Sequence, residues 1–284
     1  MQKIKVGNLY LIMIITIIQI VLSSIREKRP KTIFIIGDST AANKDTSKGQ
    51  VERGWGMMFQ NCFDEEYIIV DNHALNGRSS LSFINEKEWD KVLAKIRPGD
   101  YVIIQFGHND EKADESRHTD PGTTFDKNLE KYCNETRDLG GIPVLMNCVV
   151  RRNFAKINTK IEDDESLRNT TYADGAKVEE SDILVDTHGD YRLAPINVAR
   201  RLNVHFVDAN KITHDLEQGL GVEGSKKLHM WFLPGQEPSE PKGKQDNTHY
   251  NIYGGQTVAN LLADALCEEI PELKKYRINS SEKE

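Results

Sequence analysis

The sequence predicts a single α/β domain built on a parallel sheet, and three observations lead there. Five short β-branched runs each end in Gly, Asp or Arg, amphipathic stretches separate them, and 284 residues suffice to bury one large core with no linker inside it. Strands covered on both faces read as continuous apolar runs, whereas half-exposed strands alternate. The five runs are of the first kind, so the expected architecture is an α/β sandwich around a five-stranded parallel sheet.

Thr32 to Ile36 is the first strand, ending at Gly37-Asp38-Ser39, and Tyr67 to Val70 the second, running into Asn72 to Gly77. The spacing of Phe83 to Ile96 predicts a helix, stopped by Pro98-Gly99-Asp100, which launches the strand Tyr101 to Phe106. A helix from Phe125 to Leu139 ends at Gly140-Gly141 before the strand Ile142 to Val150. The helix Pro195 to Leu202 precedes the strand Val204 to Val207, and Gln256 to Glu269 closes the fold as a helix. Residues 153 to 190 and 222 to 248 are polar and weakly periodic, the latter with Pro234, Pro238 and Pro241, and are expected as loops at the rim of a cleft.

Lys3 and Lys5, an apolar stretch over residues 9 to 22 and Ser23-Ser24 have the layout of a signal peptide over residues 1 to 24, which leaves a domain over 25 to 284. The stretch is short of the ~20 residues a spanning helix needs. Cleavage and a secreted or periplasmic destination are therefore expected, with no stable membrane insertion afterwards. Without that segment, 35 basic residues (37 less Lys3 and Lys5) face 44 acidic ones, a net charge of −9 that argues against a nucleic-acid surface. Cys62, Cys133, Cys148 and Cys267 lack C-x-x-C spacing; they are buried thiols or unassigned disulfide partners, not a zinc ribbon.

In an open parallel sheet the ligand crevice lies at the carboxyl ends of the strands. Gly37-Asp38-Ser39, Asn72 to Gly77 and Gly107-His108-Asn109-Asp110 all fall there. Gly37-Asp38-Ser39 alone could be an ordinary turn with an N-cap. Asp246-x-x-His249 changes its meaning, because on a turn or helix start Asp246 can orient one ring nitrogen of His249 while the other faces Ser39. The Ser39 amide, the Gly77 amide and the Asn109 side chain are candidate donors to an oxyanion. Gly219-x-Gly221-x-x-Gly224 follows a helical stretch instead of a strand, so it reads as a helix-ending loop and not a dinucleotide site. No G-x-S-x-G elbow or H-E-x-x-H pair is present.

These four blocks, Gly37-Asp38-Ser39, Gly77, Gly107 to Asp110 and Asp246 to His249, resemble in order those of the SGNH (GDSL-like) hydrolases. The resemblance implies a flavodoxin-like three-layer α/β/α sandwich, a triad of Ser39, His249 and Asp246, and an oxyanion hole of Ser39, Gly77 and Asn109. Gly54-Trp55-Gly56, residues 76–83, 105–112, 120–132, 188–191 and 225–250 are similar more narrowly to the rhamnogalacturonan acetylesterases. That implies hydrolysis of acetyl esters on a pectic polysaccharide through an acyl-serine, without metal or cofactor, by a monomer. One departure is Leu81, where many relatives carry a basic residue. Arg78, Arg151 and Arg152 remain as partners for a uronate, or as members of structural ion pairs. Trp55, Trp231 and Tyr250 could stack on sugar rings or fill the core, Trp231 being favoured by its place in the proline-rich segment. A deacetylase of xylan, a general GDSL esterase or lipase, and a non-catalytic carbohydrate-binding protein are the alternatives.

Overall fold

The computed structural model describes residues 29–154 and 181–278, together with Met13 and Ile14. The expected signal peptide lies outside them apart from those two positions. Among the described residues no helix is long and apolar enough to cross a membrane.

Strands β1 (Lys31–Gly37), β2 (Ile68–Asn72), β3 (Tyr101–Gln105), β4 (Ile142–Met146) and β5 (His205–Val207) form one parallel sheet in the order β2-β1-β3-β4-β5. This is the flavodoxin-type order, with its switch point where β1 meets β3. Period-two alternation sorts β1 between two cores: Ile33 and Ile35 face one, Phe34 and Ile36 the other. The first core packs under α1 (Trp55–Met58), α6 (Ala209–Ser225) and α7 (Ile252–Glu269). The second packs under α2 (Ser80–Asn85), α3 (Glu88–Leu93), α4 (Thr124–Asp138) and α5 (Asp190–Leu202). Three layers result, as expected.

Three expectations need correction. The helix expected over Phe83 to Ile96 is two helices, because Lys87 adopts a left-handed backbone (φ 64°) between α2 and α3. Residues 222–248 are not irregular throughout: β6 (His229–Phe232) and β7 (Lys244–Tyr250) pair as an antiparallel hairpin. A helix does end at Gly221, as expected: its backbone is non-helical (φ 67°, ψ −175°), and a second short helical stretch, counted here within α6, follows to Ser225. The strand expected as Ile142 to Val150 stops at Met146, and the buried Asn147 then ties its end to α6 by accepting from the Asn210 amide (2.8 Å) and donating to Asp208 (2.8 Å). Of the expected rim loop over 153–190, residues 155–180 lie outside the described structure. All four cysteines are free and buried.

Candidate active site

Loops that leave β1, β2 and β3 meet at the switch point, since these strands are neighbours in the sheet. Pairing continues past the end of β2: the His73 amide donates to Ile35 (2.8 Å) and the Leu75 amide to Gly37 (3.0 Å). That extension carries Gly77 alongside the turn bearing Ser39.

The Ser39 turn is closed from inside. Buried Asp38 accepts the Thr40 amide (2.9 Å) and hydroxyl (2.8 Å) on Oδ1, while its own carbonyl accepts the Ala41 and Ala42 amides. Burial raises the Asp38 carboxyl above its ordinary pKa despite the Thr40 bonds. From outside, the Trp55 amide donates to the Thr40 carbonyl (2.9 Å), and only a glycine fits at Gly54, where a Cβ would collide with the Ala41 and Ala42 backbone. Lys44 adds a third restraint. Its ammonium sits 2.7 Å from the Ser39 carbonyl, 2.7 Å from Asn76 Oδ1 and 2.7 Å from Glu52 Oε1, so one buried cation joins the Ser39 turn to the loop of Gly77.

His249 and Asp246 arrive from β7, and the hairpin is irregular where they lie. Between the pairs Trp231↔Gln245 and His229↔Tyr250, β6 advances two residues and β7 five. Asp246 to His249 therefore bulge out of the ladder, in place of the expected turn or helix start. The Asp246 carboxylate stabilises the bulge: Oδ1 accepts the Thr248 and His249 amides (2.8 and 2.9 Å). Its Oδ2 accepts from His249 Nδ1 (2.8 Å), and His249 Nε2 lies 2.9 Å from Ser39 Oγ. Burial pushes the Asp246 carboxyl upward, but the His249 ring and the two amides outweigh it and lower its pKa. An ionised Asp246 fixes the proton of His249 on Nδ1 and leaves Nε2 to accept from Ser39.

The expected oxyanion donors are also brought together. Neither the Ser39 nor the Gly77 backbone N–H has an acceptor among the described residues, and Gly77 holds φ 76° with open space where a Cβ would stand. Asn109 Nδ2 spends one proton on the Arg78 carbonyl (3.0 Å) and keeps the other. Asp110 completes the link between the second and third loops by accepting the Ser80 amide (3.1 Å) and the Thr119 hydroxyl (2.8 Å). Its carboxyl is pushed up to about 7 by burial, against the pull of those bonds. Lys44, Ser80 and Asp110 escaped the sequence reading as structural ties; a lone lysine carries no motif, and Asp110 was visible only as the end of a block.

Several candidate binding residues are committed elsewhere. Arg78 pairs with Glu86 (Nε and Nη2 at 2.9 and 2.8 Å) and donates to the Asn76 carbonyl. Arg151 is buried against Glu111, Thr187 and His188; Arg152 is buried against Ser225 and Asn247. Tyr250 does not face a sugar: it is 0% exposed and packs 5.0 Å from the His229 ring, because the bulge ends there and returns its side chain to the core. Trp55 is buried as well, bonded to Gln105 (3.2 Å). Trp231 is only partly buried and lines a cleft.

The model of the GDSL-like Lipase/Acylhydrolase family matches residues 35–256. The chain is 34% identical to the rhamnogalacturonan acetylesterase RhgT of Bacillus subtilis, over 90% of this chain and 98% of that one. It is 25% identical to the rhamnogalacturonan acetylesterase of Emericella nidulans, over 83% and 84%. Among solved structures, protein YxiM of Bacillus subtilis superposes with a TM-score of 0.62 at 22% identity, over 84% of this chain and 56% of that one. An acetylxylan esterase of Geobacillus stearothermophilus shares the fold at a TM-score of 0.51 and 17% identity, over 86% and 96%.

Proposed function

Because the chain belongs to the GDSL-like lipase/acylhydrolase family and is a carboxylic ester hydrolase, we propose that it removes acetyl groups from rhamnogalacturonan by way of an acetyl-serine. The observation that carries the chemistry is the unbroken chain Ser39 Oγ to His249 Nε2 (2.9 Å) and His249 Nδ1 to Asp246 Oδ2 (2.8 Å), on loops that also carry two unspent backbone amides. Support for the substrate comes from the relatives, two of which are named for this polysaccharide over most of their length.

Ser39 Oγ attacks the acetyl carbonyl as His249 Nε2 takes its proton, and Asp246 stabilises the imidazolium without accepting that proton. Negative charge then builds on the carbonyl oxygen, where the Ser39 and Gly77 amides and the free Asn109 proton receive it. His249 returns the proton to the departing sugar hydroxyl, leaving acetyl-Ser39. Water, deprotonated by His249, releases acetate by the reverse sequence. Every role is filled from one chain, in keeping with a monomer, and residues 1–24 would direct its export.

Acetate release from acetylated rhamnogalacturonan, acetylated xylan and an aryl acetate, with Ser39→Ala as the blank, tests the reading. Preference for the pectic substrate with loss of all activity in the blank is expected. Equal rates on the three esters would overturn the narrow substrate; an active blank would overturn the nucleophile.

A further inference from the structure

Beside the hairpin lies a cleft of about 470 Å³, lined by Glu223, Lys226, Lys227, Trp231, Phe232 and Asn251 among others. Its size falls within the roughly 300–1,000 Å³ of small-molecule sites. We propose that it is a carboxylate-reading subsite for a uronate residue of the acetylated glycan, an inference that rests on the glycan reading above.

The first support is a rigid connection to the triad. Trp231 Nε1 donates to Asn247 Oδ1 (2.9 Å), and Asn247 stands inside the bulge between Asp246 and His249. Buried Arg152 binds the same oxygen (3.1 Å), donates its amide to the Asn247 carbonyl (2.8 Å) and carries its guanidinium 4.9 Å from the Trp231 ring centre. The indole is thus held by the residue next to the triad carboxylate. Asn251, two residues after His249, also reaches the cleft, and it ties down the cleft wall by donating to the Lys227 and His229 carbonyls (2.9 and 2.8 Å). A ring seated against Trp231 is therefore referenced to His249 through fixed bonds, as positioning for catalysis requires.

The second support is charge. The whole chain carries −7, so an anionic glycan needs a local cation to approach it. Arg151 and Arg152 are buried among their own partners, and Arg78, in an exposed pair with Glu86, does not line this cleft. Lys227 is exposed and makes no ion pair among the described residues. Beside it, Lys226 lies 5.0 Å from the Trp231 ring centre and pairs with Glu223 at 2.7 Å, an exposed contact that a substrate carboxylate can replace. Apolar walls from Trp231 and Phe232 suit the C–H face of a pyranose, and the Lys227 ammonium supplies the point charge for its carboxylate. This places uronate recognition on the hairpin, away from Leu81 and its neighbour Arg78.

The test compares acetate release from an acetylated uronate-bearing oligosaccharide with release from the same material after its carboxyls are reduced to alcohols. In the wild type, KM for the acidic form is lower and rises with salt, while KM for the reduced form does not respond to salt. Lys227→Glu raises the ratio of acidic to reduced KM about tenfold, and Lys227→Gln by a smaller factor; a thermal melt verifies that both variants are folded. An unchanged ratio in Lys227→Glu, with the wild type active on the glycan, overturns the subsite alone. A wild type that cleaves an aryl acetate but neither glycan form overturns the glycan reading and the subsite together.

Discussion

The loops after β1, β2 and β3 and the hairpin β6–β7 supply two halves of one site on opposite plans. The first half extends regular pairing: bonds from His73 and Leu75 prolong the sheet beyond β2, and Lys44 and Asp110 tie the loops across their tips. The second half abandons pairing, since Asp246 to His249 leave the ladder and their geometry comes from the Asp246 carboxylate itself. Nucleophile and oxyanion donors thus inherit precision from a sheet, whereas the base inherits it from side-chain bonds, those of Asp246 within the bulge and those of Trp231 and Arg152 to Asn247. A substitution in the first half should cost chemistry with little change in the hairpin, and one at Asp246 should cost both.

Asp246→Asn is the most severe test of that contrast. It should lower kcat/KM on an aryl acetate by about 10³–10⁴-fold, because the neutral amide no longer holds His249 in the useful tautomer. Asn109→Ala, in the other half, should cost about 10²–10³-fold in kcat. The halves meet at the His249 to Ser39 bond, but Asp246 and Asn109 share no hydrogen-bond partner among the described residues, so the double variant should show the product of the two losses; a clearly smaller loss would mean that they are coupled. Lys44→Met should lower kcat about tenfold at unchanged KM by releasing the Ser39 turn from the Gly77 loop, and a KM effect alone would deny it a positioning role.

The smallest effect is on stability and follows from the lowered Asp246 pKa. A carboxyl depressed in the folded state stabilises it above the unfolded pKa of about 3.9, and that contribution disappears as pH falls through the folded value. Denaturant titrations should therefore find Asp246→Asn less stable than wild type near neutrality, with the gap closing below about pH 4. A gap independent of pH would assign the loss to packing instead.

Continuous apolar runs made the sheet legible in sequence, and the strand ends made Ser39, Gly77 and Asn109 legible with it. Polar β7 was not: its inward residues include Asp246, Thr248 and His249, all nearly buried, and no apolar period marks a strand built from them. Tyr250 was misjudged for the same reason, since a bulge reverses the face on which the following side chain lies. Lys87 hid a break between helices, because a left-handed backbone at a lysine leaves no trace in the hydrophobic pattern. Arg78 and Lys227 differ by partners that only folding supplies, Glu86 for one and none among the described residues for the other.

Four free thiols are sealed inside this fold, and burial pushes Cys62 and Cys133 up to about 12 and Cys267 to about 11. Only thiolates react readily, so alkylating reagents have almost nothing to attack while the molecule is closed. Cys62 and Cys267 lie in the core on one side of the sheet and Cys133 in the core on the other. The molecule accordingly contains its own clock for transient opening: the rate at which each sulfur is labelled, resolved by mass spectrometry, times the exposure of one layer independently of the other.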